Sequence, residues 1–151
     1  MAANPPVSLR ALTNEDDLVR ILKDPLTMVA SDGGVEIPKR GVPHPRSYGT
    51  FARVLGVYVR EKHVLTLEDA VRKMTSLPAA RFGLLDRGVL RPGAFADLVI
   101  FDPARVNDRA TFEKPRREAT GIKTVIINGC VVVADGELTD GLQGEVIRHS
   151  I

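Results

Sequence analysis

The apolar residues of this chain change their period once, near Asp86, and that change limits the folds open to it. Before it, apolar residues recur at helical spacing. Leu18, Ile21 and Leu22 follow the helix-start signal Thr13-Asn14-Glu15-Asp16, and Asp24-Pro25 ends that segment. Phe51, Val54, Leu55 and Tyr58 fall at i, i+3, i+4 and i+7 after Gly49-Thr50, so a second helix is predicted there. A third is expected from Thr66, with Leu67, Ala70, Val71 and Met74 on one face, and a short fourth over Leu77 to Arg81 with Gly83 past its end. After Asp86 the apolar runs are short. Leu98 to Phe101 reads as a strand, and Val125 to Ile127 and Val131 to Val133 flank Asn128-Gly129, a hairpin signal. Arg91-Pro92-Gly93 and Asp135-Gly136 mark further turns.

Two segments resist a periodic reading. Met1 to Arg10 carries Pro5-Pro6 and reads as an extended lead-in. Leu26 to Ala30 is a short apolar run stopped by Ser31-Asp32-Gly33, and it is predicted to be a buried strand. The loop from Gly33 to Pro45 that follows is long and rich in Gly and Pro, as functional loops often are.

Composition excludes several roles. With 44% apolar and 26% charged residues the chain has the make-up of a globular protein, and 151 residues are enough for a real core. The net charge of +2 is scattered, so there is no basic stripe for nucleic acid, and five Phe, two Tyr and no Trp leave little surface for base stacking. One cysteine, Cys130, forms no internal disulfide, and no run is apolar enough to span a bilayer. The expected location is cytoplasmic.

The chemistry-bearing candidates lie on the Gly-Pro loop. Asp32 is a carboxylate at the expected exit of a strand, the position of a general base. It is also a turn aspartate before Gly33, and local sequence by itself favours the turn. Arg46 carries a planar fork suited to a carboxylate, and by itself reads equally as a solvated loop arginine. His44 lies between two prolines. It, His63 and His149 are the three histidines, with no His-x-His pair, so a metal beside Asp32 would take most of its ligands from elsewhere. Cys130, Asp97, Asp102 and the run Lys114 to Glu118 read as structural or solvated.

Longer blocks carry a resemblance. Gly88 to Asp102, with Gly93, Ala96 and Asp97, followed by Val125 to Val133 around Asn128-Gly129, resembles the C-terminal signature of the amidohydrolase superfamily. Glu68 to Leu84, with Thr75, Pro78, Ala79 and Gly83, resembles the helices that precede it. Ser31-Asp32-Gly33 together with Pro43-His44-Pro45-Arg46 and Tyr48 to Phe51 is similar to the N-acyl-D-amino-acid deacylase (D-aminoacylase) branch, and the likeness runs from about Asn14 to the end.

The resemblance implies an α/β remnant plus β. Residues 1–85 would be the last strand, loop and helices of a (β/α)8 barrel, and residues 86–151 the C-terminal half of a small β-sandwich. It implies hydrolysis of the amide of an N-acyl-D-amino acid by a zinc-dependent enzyme. Asp32 would be the proton-shuttling base beside the metal, Arg46 would hold the substrate carboxylate, and His44 would assist in substrate binding. The family's metal histidines, its bridging ligand and barrel strands one to seven have no counterpart here. The chain alone is therefore expected to bind no zinc and to be inactive, and to associate with itself or with a partner barrel chain. Other amidohydrolases of the dihydroorotase or hydantoinase kind, or a non-catalytic self-associating fragment, are the alternatives, and Arg46 in its Pro-His-Pro-Arg setting speaks against the first of these.

Overall fold

A computed structural model describes residues 14–34, 41–141 and 143–148. The lead-in expected for Met1 to Arg10, part of the Gly-Pro loop and His149 lie outside those residues.

Among the described residues, four α-helices come first. α1, Glu15–Lys23, starts where Asn14 Oδ1 accepts the Asp17 N–H at 2.7 Å, with acids in its first turn and Arg20 and Lys23 in its last. α2, Arg46–Arg53, begins three residues before the Gly49-Thr50 start expected from sequence, and runs directly into a π-helical stretch, Val54–Glu61. α3, Leu67–Met74, is capped by Thr66, whose hydroxyl accepts the Asp69 N–H at 3.1 Å. α4, Ser76–Arg81, carries Pro78 inside its first turn and ends ahead of Gly83, which has φ +72°.

Four strands follow: β1 Leu98–Phe101, β2 Ile122–Ile127, β3 Cys130–Ala134 and β4 Glu137–Leu138. They form one antiparallel sheet in chain order. Both hairpin turns are of type I′. Asn128 and Gly129 have φ 50° and 81°, and Asp135 and Gly136 have φ 50° and 84°. Arg87 fixes the first turn from outside. It pairs with Asp97, donates to Asn128 Oδ1 at 3.1 Å, and lies over the Phe95 ring, while Asp97 Oδ1 accepts the Asn128 N–H at 2.8 Å.

The strand expected over Leu26 to Ala30 does not form. Those residues are irregular, and Leu26 is 80% exposed. A strand exists by its ladder, and no other strand pairs with this segment among the described residues. The buried strand expected there is therefore corrected to an irregular segment that no strand pairs among the described residues. The apolar stripe of α2 also differs from expectation. Val54, Leu55 and Tyr58 are buried within the chain, whereas Phe51 is half-exposed and Ala52 turns inward in its place. Of the four, Phe51 alone is left without cover.

The core crosses residue 86. Ala52, Val54, Leu55 and Ala70 from the helices and Leu65 from the link ahead of α3 bury together with Val106, and Val29, Phe101, Ala119 and Ile122 pack around them. Val106 belongs to the irregular stretch between β1 and β2, which folds back on itself through the Asn107–Thr120 bridge. Arg60 donates to the Val106 carbonyl at 2.5 Å and to that of Pro103 at 3.2 Å, and Arg53 pairs with Asp108 at 3.2 Å. Gly121 allows this closeness. It has φ +78°, and a Cβ there would lie 2.6 Å from the Arg105 carbonyl carbon and the Val106 Cα.

Two outcomes follow from these contacts. Gly121→Ala should destabilise the chain by about 2 to 5 kcal/mol, from a left-handed side chain plus overpacking against rigid backbone. Urea unfolding measures it, and an unchanged midpoint would contradict the close approach. The second concerns the pair of Glu15 with Lys62 Nζ. The hydrogen bond from Lys62 holds the Glu15 carboxyl below its ordinary range, and the bond to Glu15 holds the Lys62 amine above its own. Glu15 thus adds stability at neutral pH that is lost as pH falls through its lowered midpoint, and Lys62 stability that is lost as pH rises through its raised one. Glu15→Gln should lower the Lys62 midpoint in an NMR titration. No movement would show that the two are apart in solution.

Candidate active site at Asp32 and Arg46

The segment between α1 and the Gly-Pro loop is positioned by helices rather than by a sheet. Helix α1 stops at Asp24, where Pro25 follows. The next residues run along α3. The Val29 N–H donates to the Lys73 carbonyl at 3.1 Å, and Val29 packs on the core. The chain then turns sharply. Ser31 Oγ accepts the Gly33 N–H at 3.1 Å, and Asp32 between them adopts φ 48°, a left-handed conformation that aspartate tolerates better than most residues. Gly33 presses on α2, where a Cβ would lie 2.9 Å from Ser47 Cα, and the Gly34 N–H donates to Ser47 Oγ at 3.4 Å.

Ser47 is preceded by Arg46, the first residue of α2. The entry to α2 is stiff. Pro45 precedes it, His44 Nδ1 accepts the Arg46 N–H at 3.1 Å, and the His44 carbonyl accepts the Ser47 N–H at 3.0 Å. Docking Gly33-Gly34 on Ser47 therefore brings the two candidate groups together. Arg46 Nη2 lies 2.8 Å from Asp32 Oδ2. The Asp32 side chain is 85% exposed and that of Arg46 45%, so the pair meets water and is worth about 0 to 1 kcal/mol. A weak, exposed pair exchanges partners readily.

His44 has other commitments. Its ring stands edge-on to Phe112, with centroids 5.1 Å apart and planes at 82°, and its Nδ1 serves the Arg46 backbone. It orders the turn that presents Arg46. His63 is exposed with φ 52° at the end of the π-helical stretch, and Cys130 is exposed at the start of β3. No group of three or more His, Cys, Asp and Glu side chains gathers to hold a metal among the described residues. Catalytic zinc takes about three protein ligands, more than gather at any one place among the described residues. Two open hollows, one lined by Arg109, Arg116 and Arg117 and the other by Asp102, Arg105 and Asp135, include neither Asp32 nor Arg46.

Sequence reasoning passed over Ser47, Arg72 and Lys73. Ser47 reads as an ordinary helix residue. Lys73 carried a signal, since it follows the inward-facing Ala70 by three positions and so lies on the buried side of α3.

Residues 8–133 match the amidohydrolase family. The chain belongs to that family. It is 48% identical over 146 residues to a D-aminoacylase of Alcaligenes xylosoxydans xylosoxydans, covering 97% of this chain and 30% of that protein. Among solved structures, a D-aminoacylase with a binuclear metal centre matches with a TM-score of 0.79 and 50% identity, over 85% of this chain and 27% of its own. An N-acyl-D-glutamate deacylase from Bordetella bronchiseptica, complexed with zinc and a phosphonate inhibitor that mimics the tetrahedral intermediate, matches with a TM-score of 0.74 and 48% identity over 87% of this chain and 28% of its own. The family member described here thus spans less than a third of the length of these relatives. No helix among the described residues is long and apolar enough to cross a membrane.

Proposed function

We propose that this chain supplies two groups of an N-acyl-D-amino-acid deacylase: Asp32 as the proton carrier and Arg46 as the clamp for the substrate carboxylate. The observation that carries this reading is the 2.8 Å contact between them. In an N-acyl amino acid the carboxylate and the amide nitrogen are borne by the same carbon. The group that holds the one and the group that protonates the other must therefore be neighbours, and Asp32 and Arg46 are.

The chemistry assigned to this chain's residues is a proton transfer. The substrate carboxylate takes the Arg46 fork in a two-point pairing, displacing Asp32. The freed carboxylate accepts a proton from the attacking water as the new C–O bond forms. It returns that proton to the amide nitrogen as the C–N bond breaks, leaving a carboxylate and a free D-amino acid. His44 keeps Arg46 in place through its backbone N–H. The zinc of the related enzymes would need ligands from outside the described residues.

The same reading gives the chain its place in a larger structure. The segment Leu26 to Ala30 would gain its ladder as barrel strand eight, residues 1–85 would close the barrel, and residues 86–151 would be half of a β-sandwich. The chain alone would be inactive and metal-free, and would join a partner barrel chain or a second copy of itself.

Complementation tests the proposal. A D-aminoacylase lacking the matching quarter is co-expressed with this chain and assayed on N-acyl-D-amino acids and on their methyl esters. Activity should return. Asp32→Asn should then lower kcat by about 10^2- to 10^4-fold on both substrates. Arg46→Ala should lower kcat/KM on the free acids by roughly thirtyfold or more, equivalent to about 2 kcal/mol, and much less on the esters. Equal loss on acid and ester would remove the clamp from the account, and full activity of Asp32→Asn would remove the base.

A further inference from the structure

We infer that Lys73 is a positioning residue for the Asp32 carboxylate: α3 holds in place the unpaired segment that ends at the candidate base. The functional meaning of this inference rests on the reading of Asp32 as that base. Lys73 is completely buried. Lysine is almost never fully buried unless its amine is satisfied, and here Nζ donates to the backbone carbonyls of Asp24 and of Thr27, the latter at 3.2 Å. Arg72 continues the pattern. Its Nη2 donates to the Pro25 carbonyl at 3.0 Å, and Asp69 steadies the guanidinium by accepting from Nε at 2.9 Å. The Lys73 carbonyl in turn accepts the Val29 N–H at 3.1 Å.

Two consecutive residues of one helix thus occupy three carbonyls and one N–H between Asp24 and Val29. A segment with no neighbouring strand must find partners for its backbone somewhere, and α3 provides them with the Arg72 and Lys73 side chains and the Lys73 carbonyl. Asp32 lies three residues beyond Val29. On its far side Gly33 and Gly34 are docked on Ser47, next to Arg46. The carboxylate is therefore placed by α3 and the guanidinium by α2. The core between α3 and the π-helical continuation of α2, where Ala70 and Leu55 are buried, sets their separation. A methionine at 73 would fill similar space, leave the Thr27 carbonyl without its Lys73 donor, and leave the Asp24 carbonyl with the Thr27 N–H alone, at 3.2 Å.

NMR of the whole chain tests this. The readouts are the Asp32 side-chain carboxyl carbon, the Arg46 Nε–H, and exchange of the Val29 amide. Lys73→Met should move the first two signals away from their paired positions and speed Val29 exchange by about tenfold, the change that an unpaired backbone group imposes on a local opening. Arg72→Met, a change at the helix surface, should move the same signals in the same direction by less, and it decides the matter if Lys73→Met does not fold. Gly121→Ala weakens the chain elsewhere and should leave the Asp32 and Arg46 signals in place. Paired signals unmoved in folded Lys73→Met, or in Arg72→Met when that variant decides, would overturn the inference. Asp32 and Arg46 signals moved equally by Gly121→Ala would also overturn it, reducing Lys73 to general stability. Absence of a paired Arg46 signal in the unaltered chain would instead sink the reading of the site itself.

Discussion

Val106 is the residue on which the rest of the structure depends. It is 1% exposed, and it buries against helical residues although it lies between two strands. Burying one valine side chain is worth about 1.5 to 3 kcal/mol, but its effect is larger than its area. A four-stranded sheet with Val99, Val131 and Leu138 exposed has little core of its own, and it meets the helices through Phe101 and Ile122. Val106 joins the two. Polar contacts hold it from several sides: Arg60 on its carbonyl, the Gly121 backbone against its own, and Arg53 on nearby Asp108. Arg46, Arg53 and Arg60 lie on one continuous helical run, so fixing its far end to the Val106 loop also orients the end that carries Arg46.

The site built on that scaffold uses loops placed by helices. Asp32 and Arg46 are both accessible, and their pairing satisfies each while leaving it free to exchange for a ligand of the same charge. That combination suits a site in which a substrate carboxylate takes over the arginine. A buried pair would resist the exchange, because separating desolvated charges is costly. The left-handed conformation of Asp32 and the contact of Gly33 on Ser47 fix the backbone there, so the freedom lies in the side chains.

Much of this was legible in residues whose effect is local. Asn14 and Thr66 cap as their side chains dictate, and Asn128-Gly129 and Asp135-Gly136 take the turns that their left-handed preference allows. Asp32 and Arg46 stand out in the sequence as a carboxylate and a guanidinium at the two ends of one Gly- and Pro-rich loop. What escaped depends on partners distant in sequence. Leu26 to Ala30 has the composition of a strand, but a strand needs a neighbour, and Lys73 takes up the Thr27 carbonyl and the Val29 N–H instead. The π-helical stretch was invisible because Val54, Leu55 and Tyr58 satisfy a 3.6-residue period equally well. Lys73 was overlooked because a lysine is normally read as a surface residue. The core shared across residue 86 could not be foreseen, since Val106 sits in a stretch that reads as polar and irregular.

The central claim is that Asp32 and Arg46 act on one substrate as a unit. The most direct measurement is a double-mutant cycle in the complemented enzyme: kcat/KM for the unaltered chain, Asp32→Asn, Arg46→Ala and the double variant, on one N-acyl-D-amino acid. Groups that share a ligand are coupled by about 0.5 to 3 kcal/mol, so the double variant should lose measurably less than the two single losses combined. Losses that add within about 0.3 kcal/mol would mean that the two residues act independently, and would contradict the account.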